Sequence, residues 1–256
     1  MALIRPFWRP TPGTLGLLGL ALVGALAPSP AAAQSPPPSP GHYVTERSWG
    51  SLVVQPTQAG AAPFDLNTVG PNGHTCELGG RIVDGLAVVG SDAADEKCVV
   101  RFRPLKGGGL LVETDPSTAP ADACRAFCGA RASFEGDYTR PAKGCDDDAR
   151  KTTRARFQAL YDARRYGAAL ATLGPLLGAC GDTLTWVEEA RVRNDLALTH
   201  YRLNDKGGCR AVLAPLATDA KRSDDDIRWD DATTDAGAYL PEVRAARANL
   251  ALCRKG

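Results

Sequence analysis

Eight cysteines, Cys76, Cys98, Cys124, Cys128, Cys145, Cys180, Cys209 and Cys253, all lie downstream of an N-terminal segment laid out like a removable export signal. In an oxidising compartment an even set of this size closes into bridges, and each bridge narrows the topologies open to the chain. The leader has three parts. Arg5 and Arg9 make a positive start, residues 15–26 (LGLLGLALVGAL) are apolar, and Ala31-Ala32-Ala33 supplies small residues for cleavage before Gln34. A transmembrane anchor needs about 18 or more apolar residues, and Pro28 and Pro30 close this run well short of that. Residues 1–33 therefore read as a secretory signal peptide, and the protein as periplasmic or secreted. Abundant Ala, Arg, Gly and Pro with a single Met point to a bacterial source.

Loss of the leader removes two positive charges and no negative ones, so the formal charge of +1 becomes −1. A near-neutral balance offers no electrostatic reason to bind nucleic acid or an anionic membrane. No other apolar stretch approaches membrane-spanning length, so stable membrane insertion is not expected either.

Composition divides the remainder. Residues 34–41 (QSPPPSPG) form a Pro/Ser-rich spacer. Residues 42–144 alternate as strands do, and residues 145–256 carry helical spacing, with RPAKG at 140–144 as the join. Strands are expected at 51–55, 64–69 and 74–77. In RIVDGLAVV, Asp84-Gly85 is a two-residue turn signal, because both central residues of a type I′ turn need positive φ. A second hairpin runs from 98–103 through a loop at 106–109 to 110–113. Cys98, Val100 and Phe102 share one face of its first arm. Some seven or eight short strands imply a small antiparallel β barrel or sandwich, and an α+β, two-domain chain overall.

In the second half, residues 152–164 place Phe157, Leu160 and Tyr161 on one face. Residues 166–177 do the same with Ala169, Leu173, Leu176 and Leu177, ending at Gly178 and Gly181. A third helix spans 186–203, Gly207-Gly208 breaks the chain, a fourth spans 209–217, and a polar loop follows. Pro241 suits the first position of a final helix to Cys253. Two internal repeats are visible. Residues 193–198 (RNDLAL) recur as 247–252 (RANLAL). ALYDARRYGAALATLGPLL and LTHYRLNDKGGCRAVLAPL share an aromatic, a short turn, a small residue and spaced leucines, with Tyr161 aligned to Tyr201. The helical half resembles tetratricopeptide-repeat hairpins, with an insertion before the third unit. That resemblance implies a groove for a protein or peptide partner.

Strand and helix ends suggest pairings for the cysteines. Cys145 precedes the first helix of a hairpin and Cys180 follows the second, so the two ends are neighbours. Cys209 and Cys253 stand in the same relation. Continuing the Asp84-Gly85 hairpin brings Cys76 towards Cys98, and a helical turn over ADACRAFCG would join Cys124 to Cys128.

Reactive chemistry has little support. There is no CxxC pair for zinc and no GxSxG elbow, and the three histidines are His42, His74 and His200. The acidic stretch 223–235 lacks the glycine and closing glutamate of an EF-hand loop and reads as a solvated loop. Lys106 to Gly109 lacks the rest of a phosphate loop. No catalytic, cofactor-binding or metal residue is expected. The string CRAFCGARASFEGDY (124–138) singles out Arg131 as a candidate contact, and Arg191, Arg193, Asn194 and Arg247 are candidates on the helices. The strand half is also similar to small exported bacterial β modules, among them lysozyme inhibitors. The leading expectation is a non-catalytic, exported protein- or peptide-binding module of the bacterial envelope. The alternative is lysozyme-inhibitor-like or hydrolase activity in the strand half.

Overall fold

Strict alternation of side chains builds the first half. In β3 (Ala62–Val69), Ala62, Phe64, Leu66 and Thr68 are buried, while Asp65, Asn67 and Val69 are exposed. The computed structural model describes residues 37–90, 97–229 and 235–254, and the leader lies outside them. β3 belongs to a four-stranded antiparallel sheet with β1 (Gly41–Val44), β2 (Gly50–Val54) and β4 (Thr75–Ile82), in chain order. A second four-stranded antiparallel sheet holds β5 (Leu86–Val89), β6 (Cys98–Pro104), β7 (Leu110–Thr114) and β8 (Gly136–Tyr138), again in chain order.

The sheets touch at two edges and do not close into a barrel. At one edge Val44 and Thr139 exchange backbone hydrogen bonds of 2.8 Å. At the other, Asp84 and Gly85 turn with φ of 50° and 78°, the positive values expected of that pair. Their inner faces share one core, where the Phe64 and Phe102 rings meet edge to face at 5.0 Å.

The Asp-Gly turn does not begin a long hairpin, which corrects the pairing expected for Cys76 and Cys98. After Val83 and Leu86 bond across the turn, β4 follows β3 and β5 follows β6, so the two strands part into different sheets. Cys76 instead bridges Cys128, with Cα atoms 4.0 Å apart, and Cys98 bridges Cys124 at 4.6 Å. The expected link between Cys124 and Cys128 fails for a local reason. Residues Ala123–Phe127 form a 3-10 turn and Cys128 is already extended, at φ −131° and ψ 138°, so no α-helical turn places the two on one face. This short strap is thereby tied to β4 in one sheet and to β6 in the other.

Six helices follow: α1 (Asp147–Asp162), α2 (Tyr166–Cys180), α3 (Trp186–Arg202), α4 (Lys206–Leu213), α5 (Asp224–Arg228) and α6 (Ala236–Arg254). Capping explains several starts. Asp146 accepts from Ala149 N–H at 2.9 Å, and Thr185 with Glu188 completes a capping box at α3. α3 is the central helix. Val192 and Leu196 pack with Phe157, Leu173 and Leu176, whereas Ala190 and Ala197 pack with Leu213, Val243 and Ala246.

The α1–α2 and α3–α4 turns are the same turn forty residues apart. Arg164 and Asn204 are both left-handed, at φ 58° and 59°. Arg165 N–H reaches Leu160 O and Asp205 N–H reaches His200 O, each at 2.9 Å. Disulfides close the helix pairs at their ends, Cys145 to Cys180 with Cα atoms 5.4 Å apart and Cys209 to Cys253 at 5.9 Å.

Three helical expectations need correction. Gly207 and Gly208 lie inside α4, because Asp205 caps it by accepting from Gly208 N–H at 2.8 Å. Pro241 lies inside α6, not at its first position. Part of the stretch expected as a solvated loop is α5, whose Ser223 and Asp226 form a capping box, while residues 230–234 fall outside the described set. No cysteine is free, and four disulfides fit a protein stabilised outside the reducing cytoplasm. Among the described residues no helix is long and apolar enough to cross a membrane.

Candidate functional site

The loop between β1 and β2 carries two adjacent residues of unfavourable backbone. Arg47 and Ser48 are consecutive, neither is glycine, and both are left-handed, at φ 59° and 48°. An L-residue in that region costs on the order of 1–2 kcal/mol, so surrounding contacts must hold the loop. They come from the helical half. Arg47 N–H donates to Asp182 O at 2.7 Å, and the Ser48 hydroxyl donates to Thr183 O. The Arg47 guanidinium pairs with Glu189 and lies 4.4 Å over the Trp186 ring. Burial pushes the Glu189 carboxyl up, but hydrogen bonds from Arg47 and Arg193 outweigh this and hold it below the usual carboxylate value.

This latch forms one wall of a cleft of about 730 Å³ along the seam between the sheets and the helices. Trp49, Val69 and Pro71 line it from the strand half, and Trp186 and Val187 from the start of α3. Trp186 is half exposed, and Trp49 rests 6.4 Å from the Tyr138 ring. The wall is largely apolar, and the volume lies in the range of small-molecule and peptide clefts. Glu46, Arg131 and Asp235 supply the polar rim with Arg47. One glycine is required here. A Cβ on Gly70 would overlap the Arg131 carbonyl, so the chain can bring Arg131 to the cleft only past a bare backbone.

Of the residues singled out in the sequence, Arg131 lines the cleft and the four helical ones do not. Arg191 donates to Glu242 at 2.9 Å, and Asn194 to the Glu242 carbonyl at 2.9 Å. Arg193 donates to Glu189 and to Val212 O, at 2.8 and 3.1 Å. Arg247 reaches Asp224 and the carbonyls of Ala220 and Arg222. These side chains tie α3, α5 and α6 together. Sequence reasoning passed over Trp49, Trp186 and Arg47. The available signal was Trp186 directly after the Thr185 cap, a bulky apolar residue at a helix start where the chain emerges towards solvent.

Hydrolytic chemistry has one geometric trace. His42 Nε2 and Ser51 Oγ are 2.9 Å apart across β1 and β2. Among the described residues no carboxylate bonds the other ring nitrogen, so the third member that orients a catalytic histidine is missing from this pair. Among the described residues no group of three His, Cys, Asp or Glu side chains could hold a metal ion. No known protein family, curated protein or solved structure matches the chain.

Proposed function

We propose that the chain is an exported, non-catalytic peptide-binding module of the bacterial envelope, and that the seam cleft is its binding site. Its occupant is an extended, apolar-rich segment of a partner protein, laid against Trp49 and Trp186. The observation that carries this reading is the pair of tryptophans flanking a cleft whose wall is a strained loop held in place from the opposite half. Rigid aromatic anchors in a preformed cleft give much contact area for little lost entropy. The matched turns after α1 and α3 support a tetratricopeptide-like origin for the helices. The seam cleft nonetheless lies at the α3 start and not along a helical groove.

Selection of a displayed random-peptide library on the mature, oxidised protein tests the reading. Selected peptides are expected to be apolar-rich, to lose at least about tenfold in affinity on Trp186→Ala, and to be indifferent to Trp229→Ala, at an exposed tryptophan that does not line the cleft. Failure to enrich any peptide, or peptides insensitive to Trp186→Ala, would overturn it.

A further inference from the structure

The groove between α1 and α2 holds a cleft of about 720 Å³. Thr152, Arg156 and Leu160 line it from α1, and Arg165, Ala168 and Thr172 from α2. Spacings of four put the three α1 residues on one face of that helix, where they extend over about 12 Å. Arg156 and Arg165 are both exposed, and no acidic residue lines the cleft with them.

Elsewhere in the helical half most arginines are tied inward. Arg154 pairs with Asp195 at 3.0 Å, Arg191 with Glu242 at 2.9 Å, and Arg244 with Asp224 at 2.6 Å. Among the described residues, the guanidinium groups of Arg156, Arg164 and Arg165 have no such partner. Arg164 sits beside Arg165 in the left-handed turn that joins the two helices. The carboxylate nearest them in sequence, Asp162, already accepts from Gln158 at 2.8 Å. Three cations therefore collect around one hairpin without a counter-charge, in a chain whose formal charge is only +1. Gathered like charges repel one another and raise a local potential that draws an anion.

We propose that this groove docks an acidic segment of a partner protein. Complementary charge calls for carboxylates, and a guanidinium fork takes a carboxylate through two parallel hydrogen bonds. The length of the groove admits about three to four extended residues, whereas a lone phosphate would fill one end of it. The small side chain of Ala168 lets a backbone lie close. The inference does not depend on what occupies the tryptophan cleft, with which this groove shares no residue.

The test uses the mature, oxidised protein and a fluorescent tetraglutamate peptide blocked at both ends, with tetraglutamine as the neutral control. Anisotropy at low ionic strength is expected to show saturable binding of the glutamate peptide alone, weakening as salt is added. Arg156→Gln combined with Arg165→Gln is expected to lower the affinity about fivefold or more. Arg254→Gln, at an exposed arginine of α6 outside the groove, is expected to leave it unchanged. None of these changes removes a side-chain contact among the described residues. In the wild-type protein with 15N-labelled arginine, the Arg156 and Arg165 side-chain signals are expected to move with the glutamate peptide while the Arg254 signal stays. Absence of saturable binding, an equal loss with Arg254→Gln, or displacement of the peptide by inorganic phosphate at matched ionic strength would overturn the proposal. Tighter capture of a single-stranded oligonucleotide than of the peptide would overturn it as well.

Discussion

Asp224 shows how a single surface ion pair can make a modest part of the fold's stability acid-sensitive. Hydrogen bonds from Arg244 and Arg247 lower its carboxyl from 3.8 to about 2. A group depressed in the folded state contributes fully above its unfolded value and loses that contribution as pH falls through its folded value. The Asp224 contribution is thus expected to fade between about pH 4 and pH 2. Urea midpoints measured across that window should fall more steeply for the wild-type protein than for Asp224→Asn, with the two converging towards pH 2. Parallel curves would mean the two arginines lend Asp224 no folded-state preference. Arg247 was visible in the sequence as a conspicuous charge in a repeated motif, but its use was not. A charge pattern shows where a helix faces its neighbours, and only the packed structure shows that Ala220 and Arg222 offer carbonyls to it.

Elements were legible where local chemistry decides them. Alternation placed β3, the Asp-Gly pair placed its turn, and Phe157 with Leu173 placed the faces of α1 and α2. Errors arose where a distant partner decides. Nothing local to RIVDGLAVV tells β5 to leave β4 for β6, and that departure carries Cys98 away from Cys76. α5 was hidden because three successive aspartates read as a solvated loop, although they also suit the positive end of a short helix. The α1–α2 hairpin is bridged at its open end, so paired replacement of Cys145 and Cys180 by serine should cost about 2–4 kcal/mol. Denaturant unfolding monitored by helical circular dichroism would register it, and an unchanged midpoint would mean the packing of Leu173 and Phe157 alone holds the hairpin.

At the scale of the whole molecule, the α+β division was readable from the change of hydrophobic period near residue 145, and the seam was not. The cleft needs five separate stretches to meet: the β1–β2 loop, residues 69–71 at the end of β3, the loop at Arg131 and Ser133, the start of α3, and the start of α6. No single one of them carries a motif, since a tryptophan next to a loop is unremarkable until a second one stands opposite. The latch reads the same way. Arg47 and Ser48 adopt an unfavourable backbone because Asp182, Thr183 and Glu189 accept from them, and those acceptors lie in the other half of the chain.

No bridge crosses that seam. Three outer loops, spanning separations of 52, 35 and 44 residues, enclose most of the described chain, with Cys98–Cys124 nested inside the first. Pulled from its ends, the oxidised chain behaves as knotted beads on a string. Slack can pay out between Cys128 and Cys145, roughly 60 Å, between Cys180 and Cys209, roughly 100 Å, and before Cys76, where β1, β2 and β3 lie outside every loop, roughly 130 Å from residue 37. Single-molecule stretching should show these increments without reductant and longer ones with it, and full extension under oxidising conditions would contradict the bridges. Tension on the protein would therefore part the seam and erase the tryptophan cleft, leaving each lobe's covalent loops shut. The proposed grip on a peptide would then be mechanically releasable while the covalent loops stay closed.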